Sequence, residues 1–237
     1  LSPWLKPGEY ELLRNDVHKF HSLVANGWRD GRFIIAGDSA HLMTPKLGQG
    51  LCSGIRDTMN LAWKLERVIR GTAPEAILDT YELERKPAAR EYVEISAYMV
   101  DQIISKAEGD EAGEVVEQIK APRQKIGADA LRENDDLIGT LSWQPTLADG
   151  TKLDESVGYR FGLVITPDLA DGLSADDRAA LQALGGVVVR AVDPSLAGYL
   201  AEFSRGAILI RPDRYVQGSA TSSESLSQLL ASTARAY

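Results

Sequence analysis

The stretch Gly31–Leu65, "GRFIIAGDSAHLMTPKLGQGLCSGIRDTMNLAWKL", decides how this 237-residue chain is read. Its short apolar run "RFIIAG", Arg32 to Gly37, is closed by glycine and reads as a strand buried on both faces. Such a strand delivers Asp38 to the carboxyl edge of a sheet, where open α/β folds place ligands. Gly48, Gly50 and Gly54 let the backbone pass close to a ligand. A helix opening at Leu51 points its free N–H groups and positive dipole end at the same space. A carboxylate that accepts from hydroxyls, set beside an anion-attracting helix end, suits a nucleotide-like cofactor. The lysine of a phosphate-binding GxxxxGK[ST] loop is missing, which argues against an ATPase. On spacing alone a second reading stands: a glycine-rich turn that joins strand to helix, with Asp38 as a cap.

Outward from this stretch, "VHKFHSLVA" (Val17 to Ala25) reads as a strand with imperfect alternation. The helix from about Leu51 to Arg70 carries Ile55, Met59, Ala62, Leu65 and Ile69 at spacings of three and four, so it is expected to be mostly buried along that stripe. It stops at Gly71, with Arg67 and Arg70 in the last turn where the dipole favours cations. A second helix, from about Pro74 to Lys106, is expected to begin with Pro74 in its first turn and to break or kink near Lys86, ahead of Pro87. Between Glu108 and Gly158 the chain turns polar, with "EGDEAGE", "RENDD" and "ADGTKLDE", and a domain junction is placed there. The remainder alternates. "YRFGLVI", "VVVRAV", "AILIRP" and its hairpin partner "YVQGS" read as strands. "SADDRAALQAL", capped by Ser174, "PSLAGYLAEF" from Pro194 and "SSESLSQLLASTAR" read as helices. The fold class is α/β, with a small second layer that has its own core.

Composition sets limits on function. With 44% apolar residues the chain can bury a core. No apolar run approaches the roughly 20 residues that span a bilayer, and the N-terminal "LSPWLKPGEYELL" lacks the pattern of a secretion signal. A cytoplasmic, non-membrane protein is expected. The net charge of −8 disfavours a nucleic-acid surface. The single cysteine, Cys52, allows neither an internal disulfide nor a cysteine-rich zinc site.

"GRFIIAGDSAH", Pro45, "GQG", "CSGIRD" and "NLAWKL" together resemble the second flavin-binding motif of the class A FAD-dependent aromatic-ring hydroxylases, which are flavoprotein monooxygenases. The likeness is densest from Gly27 to Arg90. It is closest to the 3-(3-hydroxyphenyl)propionate hydroxylase branch, which carries a thioredoxin-like domain after the FAD domain; "LIRPDRYV" (Leu209 to Val216) resembles a strand turn of that domain. The resemblance divides the chain into the end of a substrate-binding domain (1–26), the C-terminal segment of an FAD-binding, Rossmann-like domain with long helices (27–137), and a thioredoxin-like α/β domain (138–237). It implies that Gly37 and Asp38 lie at the ribityl chain of FAD, with Asp38 binding it, and that Pro45 lies along the isoalloxazine. Gly48, Gln49 and Gly50 would shape the loop, and the N–H groups of Leu51 and Cys52 would face the pyrimidine carbonyl. In the family NADPH or NADH reduces FAD, O2 forms a flavin C4a-hydroperoxide, and one oxygen passes to a phenol. The family's first fingerprint, GxGxxG, is nowhere in this sequence. The resemblance therefore implies the C-terminal part of a larger enzyme, inactive without the N-terminal part and expected to form a homo-oligomer. It names no catalytic residue here. An alternative from another class is a non-catalytic thioredoxin-like folding or oligomerisation module joined to a scaffold segment.

Other residues carry blander readings. His18, His21 and His41 lack a placed carboxylate for a metal site and read as solvated or hydrogen-bonded. Asp38, Ser39 and His41 lie too close along the chain to orient as a hydrolase triad. Cys52 reads as a packed residue whose N–H matters more than its thiol. Trp63 and Met59 read as core, and Arg56 with Asp57 as a helix-surface or interdomain ion pair.

Overall fold

The computed structural model describes residues 6, 8–11, 13, 14, 16–106, 126 and 135–237. The chain enters through four two-residue strands: β1 (Leu23–Val24), β2 (Arg29–Asp30), β3 (Phe33–Ile34) and β4 (His41–Leu42). They form two small antiparallel pairs, β1 with β4 and β2 with β3. Helix α1 (Gly50–Ile69) follows, then a 3-10 turn over Glu75–Leu78 and helix α2 (Asp79–Lys106). Next come α3 (Leu153–Val157), β5 (Gly162–Ile165), α4 (Pro167–Asp171), α5 (Ala175–Ala183), β6 (Val187–Arg190), α6 (Pro194–Glu202), β7 (Ala207–Ile210), β8 (Val216–Ala220) and α7 (Ser223–Ala236). Strands β5 to β8 make one mixed sheet in the order β6-β5-β7-β8, parallel at β5/β6 and antiparallel at β5/β7 and β7/β8. No helix among the described residues is long and apolar enough to cross a membrane.

The central strands are apolar at every position because helices cover both faces of the sheet. Leu163, Ile165 and Leu209 pack on one side with Leu181, Leu226, Leu230 and Tyr237. Val164, Ile208 and Ile210 pack on the other with Leu196, Tyr199 and Leu200. The helices close where the sequence marks them. Ser174 and Asp177 cap α5 reciprocally, Asp193 accepts from Ser195 N–H ahead of Pro194 in α6, and Ser222 accepts from Ser225 N–H in α7.

Four expectations are corrected. Residues 17–22 form no strand, and the extended pairing is confined to Leu23–Val24. The run from Arg32 to Gly37 is not a strand buried on both faces. Only Phe33 and Ile34 pair, in a tight hairpin across Gly31, and Phe33 is 82% exposed. A continuous apolar run is buried twice only if strands flank it on both sides, and β3 has one neighbour among the described residues. Pro74 is not in the first turn of a long helix; it precedes a separate 3-10 turn, and α2 then runs through Pro87 as one helix. Within the polar junction, residues 107–125 and 127–134 lie outside the described residues.

The fourth correction concerns which face of α1 is inside. Ile55 and Ile69, on the expected stripe, are exposed, and Met59 and Leu65 are only half-buried. The buried stripe is instead Ser53, Asp57, Asn60, Trp63, Lys64 and Arg67. Buried polar groups persist only when paired. The partners of Asn60 and Lys64 come from α2 and from the turn between β7 and β8. Glu84 of α2 accepts from Lys64 Nζ at 2.9 Å, from Asn60 Nδ2 at 2.7 Å and from both terminal nitrogens of Arg211 at 2.9 and 2.7 Å. Asp213 accepts from Arg211 Nε and Nη2 at 3.0 and 2.7 Å and from Asn60 at 2.9 Å. The Arg211 guanidinium also lies 5.2 Å from the centre of the Trp63 ring. Arg214, in the same turn, takes a left-handed φ of 71°, unfavourable for a side chain with a Cβ. Arg67 closes the far end of α1 by donating to the main-chain oxygens of Thr72, Ala183, Leu184 and Tyr237.

Burial alone would raise the Glu84 carboxyl, but the charges of Arg211 and Lys64 and the hydrogen bonds from Arg211 and Asn60 hold it at about 2. Burial also lowers Lys64, to about 8, with Glu84 opposing and Arg211 reinforcing that shift. A carboxyl depressed from its ordinary 4.5 binds fewer protons folded than unfolded. Its stabilisation is full above about 4.5 and is lost as pH falls towards about 2. Chemical denaturation across that window is expected to show stability declining on acidification, with a shallower decline in Glu84→Gln. At neutral pH, Glu84→Ala, which leaves Arg211 and Lys64 short of a counter-charge, is expected to cost about 3–5 kcal/mol.

Candidate functional site

The loop between β3 and α1 is built by glycine conformation and by one buried carboxylate. Ala36 is extended, Gly37 turns left-handed at φ 57°, and the 3-10 turn Gly37–Ser39 closes with Ala40 N–H donating to Gly37 O at 2.8 Å. This bend sits directly on α1: a Cβ at Gly54 would lie 3.3 Å from Gly37 Cα. Glycine at both positions permits that approach. A second 3-10 turn, Pro45–Leu47, ends at Gly48 with φ 62°, and Gln49 leads into α1. Thr44 Oγ1 anchors this part to α2 by donating to Ser96 O at 3.1 Å.

Under the loop, Asp57 of α1 is fully buried. Its Oδ2 accepts from Gly37 N–H at 3.1 Å and faces His41 Nε2 at 2.6 Å; its Oδ1 accepts from Arg85 Nε at 3.0 Å. An ionised carboxylate only accepts, so His41 carries its proton on Nε2. The His41 ring lies 5.6 Å from Trp28, which lies 5.5 Å from Tyr81. Burial, with the Asp57 charge, raises the Tyr81 hydroxyl well above its ordinary range, and it stays a donor to Ile35 O at 3.0 Å.

The expected site residues divide into two groups. Gly37, Asp38, Gly50 and Leu51 come together around an open cleft that Ala36, Gly54, Ile55 and Thr58 complete. Asp38 is exposed, is held in no recorded hydrogen bond among the described residues, and borders a second shallow cleft with Val24, Ala25 and Leu42. Pro45, Gly48, Gln49 and Cys52 belong to the adjoining loop and first helical turn and do not line that cleft. The first helical residues, Gly50, Leu51 and Cys52, precede the first intrahelical bond, from Ser53 N–H to Gln49 O at 2.8 Å. Gln49 does not cap them, because its side chain accepts from Arg56 Nη2 at 3.2 Å. Cys52 is exposed rather than packed. Arg56 and Asp57 are not an ion pair: Arg56 lies over the Tyr92 ring at 5.3 Å, while Asp57 pairs with Arg85. Trp63 is core and Met59 is half-buried.

Sequence reading gave Asp57 the wrong partner and missed Arg85 and the cluster of Asn60, Lys64, Glu84, Arg211 and Asp213. One signal was available: Asp57, Asn60, Lys64 and Arg67 recur at helical spacing, a polar stripe opposite the apolar one. The arrangement offers a free carboxylate, glycine backbone that admits close approach, and unpaired N–H groups at a helix N-terminus. These fit a ligand that combines hydroxyls with an electron-rich ring, as a flavin does.

Residues 6–96 match the sequence pattern of the FAD binding domain family. Over 99 residues, 42% of this chain and 17% of the relative, the sequence is 48% identical to a 3-(3-hydroxy-phenyl)propionate/3-hydroxycinnamic acid hydroxylase of Mycolicibacterium smegmatis. Over 256 aligned positions, 97% of this chain and 47% of the relative, it is 30% identical to a probable NADH-specific resorcinol 4-hydroxylase of Rhodococcus jostii. The chain thus spans less than half the length of these relatives. Its fold is similar to the flavin-dependent monooxygenase PieE in complex with FAD and substrate, with a TM-score of 0.70 at 22% identity over 93% of this chain and 50% of that one. It is similar also to the rebeccamycin biosynthetic enzyme RebC with reduced flavin, with a TM-score of 0.69 at 22% identity over 91% of this chain and 47% of that one. Residues 6–96 thus carry the FAD binding domain pattern, the relatives matched over part of their length are aromatic hydroxylases, and the solved structures that share the fold include flavin-dependent monooxygenases.

Proposed function

We propose that this chain provides the ribityl and isoalloxazine side of an FAD site in a monooxygenase that hydroxylates a phenolic compound with O2 and NADPH or NADH. The observation that carries the reading is Asp38, free in a cleft shared with Gly37, Gly50 and Leu51 at the start of α1. In this reading Asp38 accepts hydrogen bonds from ribityl hydroxyls, and Pro45 lies along the isoalloxazine. Gly48, Gln49 and Gly50 shape the loop. The N–H groups of Leu51 and Cys52 meet the pyrimidine carbonyl, where the helix dipole favours the negative charge of a reduced ring. FAD, when bound, supplies the redox and oxygen chemistry; the protein positions it and keeps the site dry. The pyrophosphate and adenine are assigned to a glycine-rich βαβ unit outside this sequence, because no GxGxxG occurs within it. That coverage is under half of the Rhodococcus relative's length supports the same view.

For residues 138–237 the reading is a thioredoxin-like domain. The sheet order β6-β5-β7-β8, with one parallel and two antiparallel pairings, supports it. This segment has no cysteine and so no dithiol chemistry; its role here is to pack against α1 and α2. A cytoplasmic setting suits a chain with one free cysteine.

Asp38→Ala is expected to weaken FAD binding by roughly 10- to 100-fold, the equivalent of losing a charge-assisted hydrogen bond of about 1.5–3 kcal/mol. Flavin fluorescence titration of the wild-type and variant chains checks this, and equal affinities would remove Asp38 from the site.

A further inference from the structure

Three segments converge on Asp57 and on no other carboxylate of the loop. Gly37 N–H takes part in no strand pairing, and among the described residues its one recorded acceptor is Asp57 Oδ2. The direction of that N–H sets the plane of the Ala36–Gly37 peptide, and so the start of the turn that presents Asp38. Gly37 is free to adopt other conformations, so the turn needs an external restraint. Asp57 provides it, and the same oxygen holds His41, which follows Asp38 by three residues. Asp57 is itself held by Arg85, whose Nη1 reaches the Tyr215 hydroxyl at 3.4 Å. The residue before Arg85 on α2 is Glu84, which Arg211 grips from the β7–β8 turn.

We propose that Asp57 is a positioning residue for the flavin loop, fixing Gly37 and His41 so that Asp38 faces the cleft, and that Arg85 relays the hold of the C-terminal layer on that carboxylate. The inference rests on the flavin reading given above. Asp57 touches no cleft space of its own and acts only through Gly37 and His41.

Asp57→Asn preserves size and keeps one carbonyl oxygen for Arg85, but turns an amide nitrogen towards two donors. In the flavin-free chain, amide exchange at Gly37 is expected to accelerate about tenfold or more, and the His41 Nε2 resonance to move. FAD affinity is expected to fall about tenfold or more in parallel. Asp38→Ala serves as the contrast: weaker FAD binding with Gly37 exchange unchanged. Arg85→Lys, which retains the cation but loses the guanidinium geometry, shifts both readouts in the same direction as Asp57→Asn and replaces it if that variant does not fold. Unchanged Gly37 exchange in a folded variant overturns the proposal. So does wild-type FAD affinity in Asp57→Asn alongside weakened binding in Asp38→Ala, an outcome that leaves the flavin reading standing. If both variants bind FAD like the wild type, the flavin reading fails and takes this proposal with it.

Discussion

The Glu84 carboxylate, out of contact with water between α1, α2 and the β7–β8 turn, is the constraint on which the rest of the structure depends. A buried charge is tolerated only when its lone pairs are filled and its charge is matched. Lys64, Asn60 and Arg211 meet both conditions at once, and they come from positions far apart in the chain. The ionic cluster specifies geometry more than it adds stability. An apolar contact tolerates sliding; a guanidinium gripping two carboxylates does not. Arg214 in its left-handed conformation fits this view, since a turn held at both ends by such contacts retains a backbone angle that a free turn would abandon.

From this anchor the order of the molecule reaches the cleft in short steps. Glu84 and Arg85 are neighbours on α2: one faces the C-terminal layer and the other faces Asp57. Asp57 in turn holds the bend at Gly37, where the glycine-to-glycine approach to Gly54 sets the loop on the start of α1. The cleft beside Asp38 is therefore shaped by residues that do not line it. On the opposite side of α1, Leu51 and Ile69 are 78% and 80% exposed while Met59 and Leu65 are half-buried, so the helix buries its polar stripe more completely than its apolar one.

That inversion explains what was legible in the sequence and what was not. The length of α1, the alternation of strands and helices after Tyr159, the cap at Ser174 and the helix start at Pro194 follow from local periodicity and capping chemistry, which need no distant partner, whereas α2 starts later than expected and passes Pro87 unbroken. The glycines and Asp38 of the loop stood out because their spacing is local too. Hydropathy, however, ranks Asp57, Asn60 and Lys64 as solvent-facing, and only the presence of Glu84, Arg211 and Asp213 makes burial possible. Those partners are identifiable in three dimensions, not in a window of sequence. The run at Arg32–Gly37 misled for a related reason: its apolar character describes what it can bury, and the burial depends on neighbours.

The central claim is that the buried charge cluster joins the segment of α1 and α2 and the C-terminal sheet into one cooperative unit. Native-state hydrogen exchange in graded denaturant tests it directly. The expected result is that core amides of α1, α2, β5 and β7 exchange through a single opening with a common free energy and a common denaturant dependence. Exchange of β5 and β7 at one opening energy and of α1 and α2 at a distinctly lower one would contradict it, and would mean that the cluster merely lies between two independently stable layers.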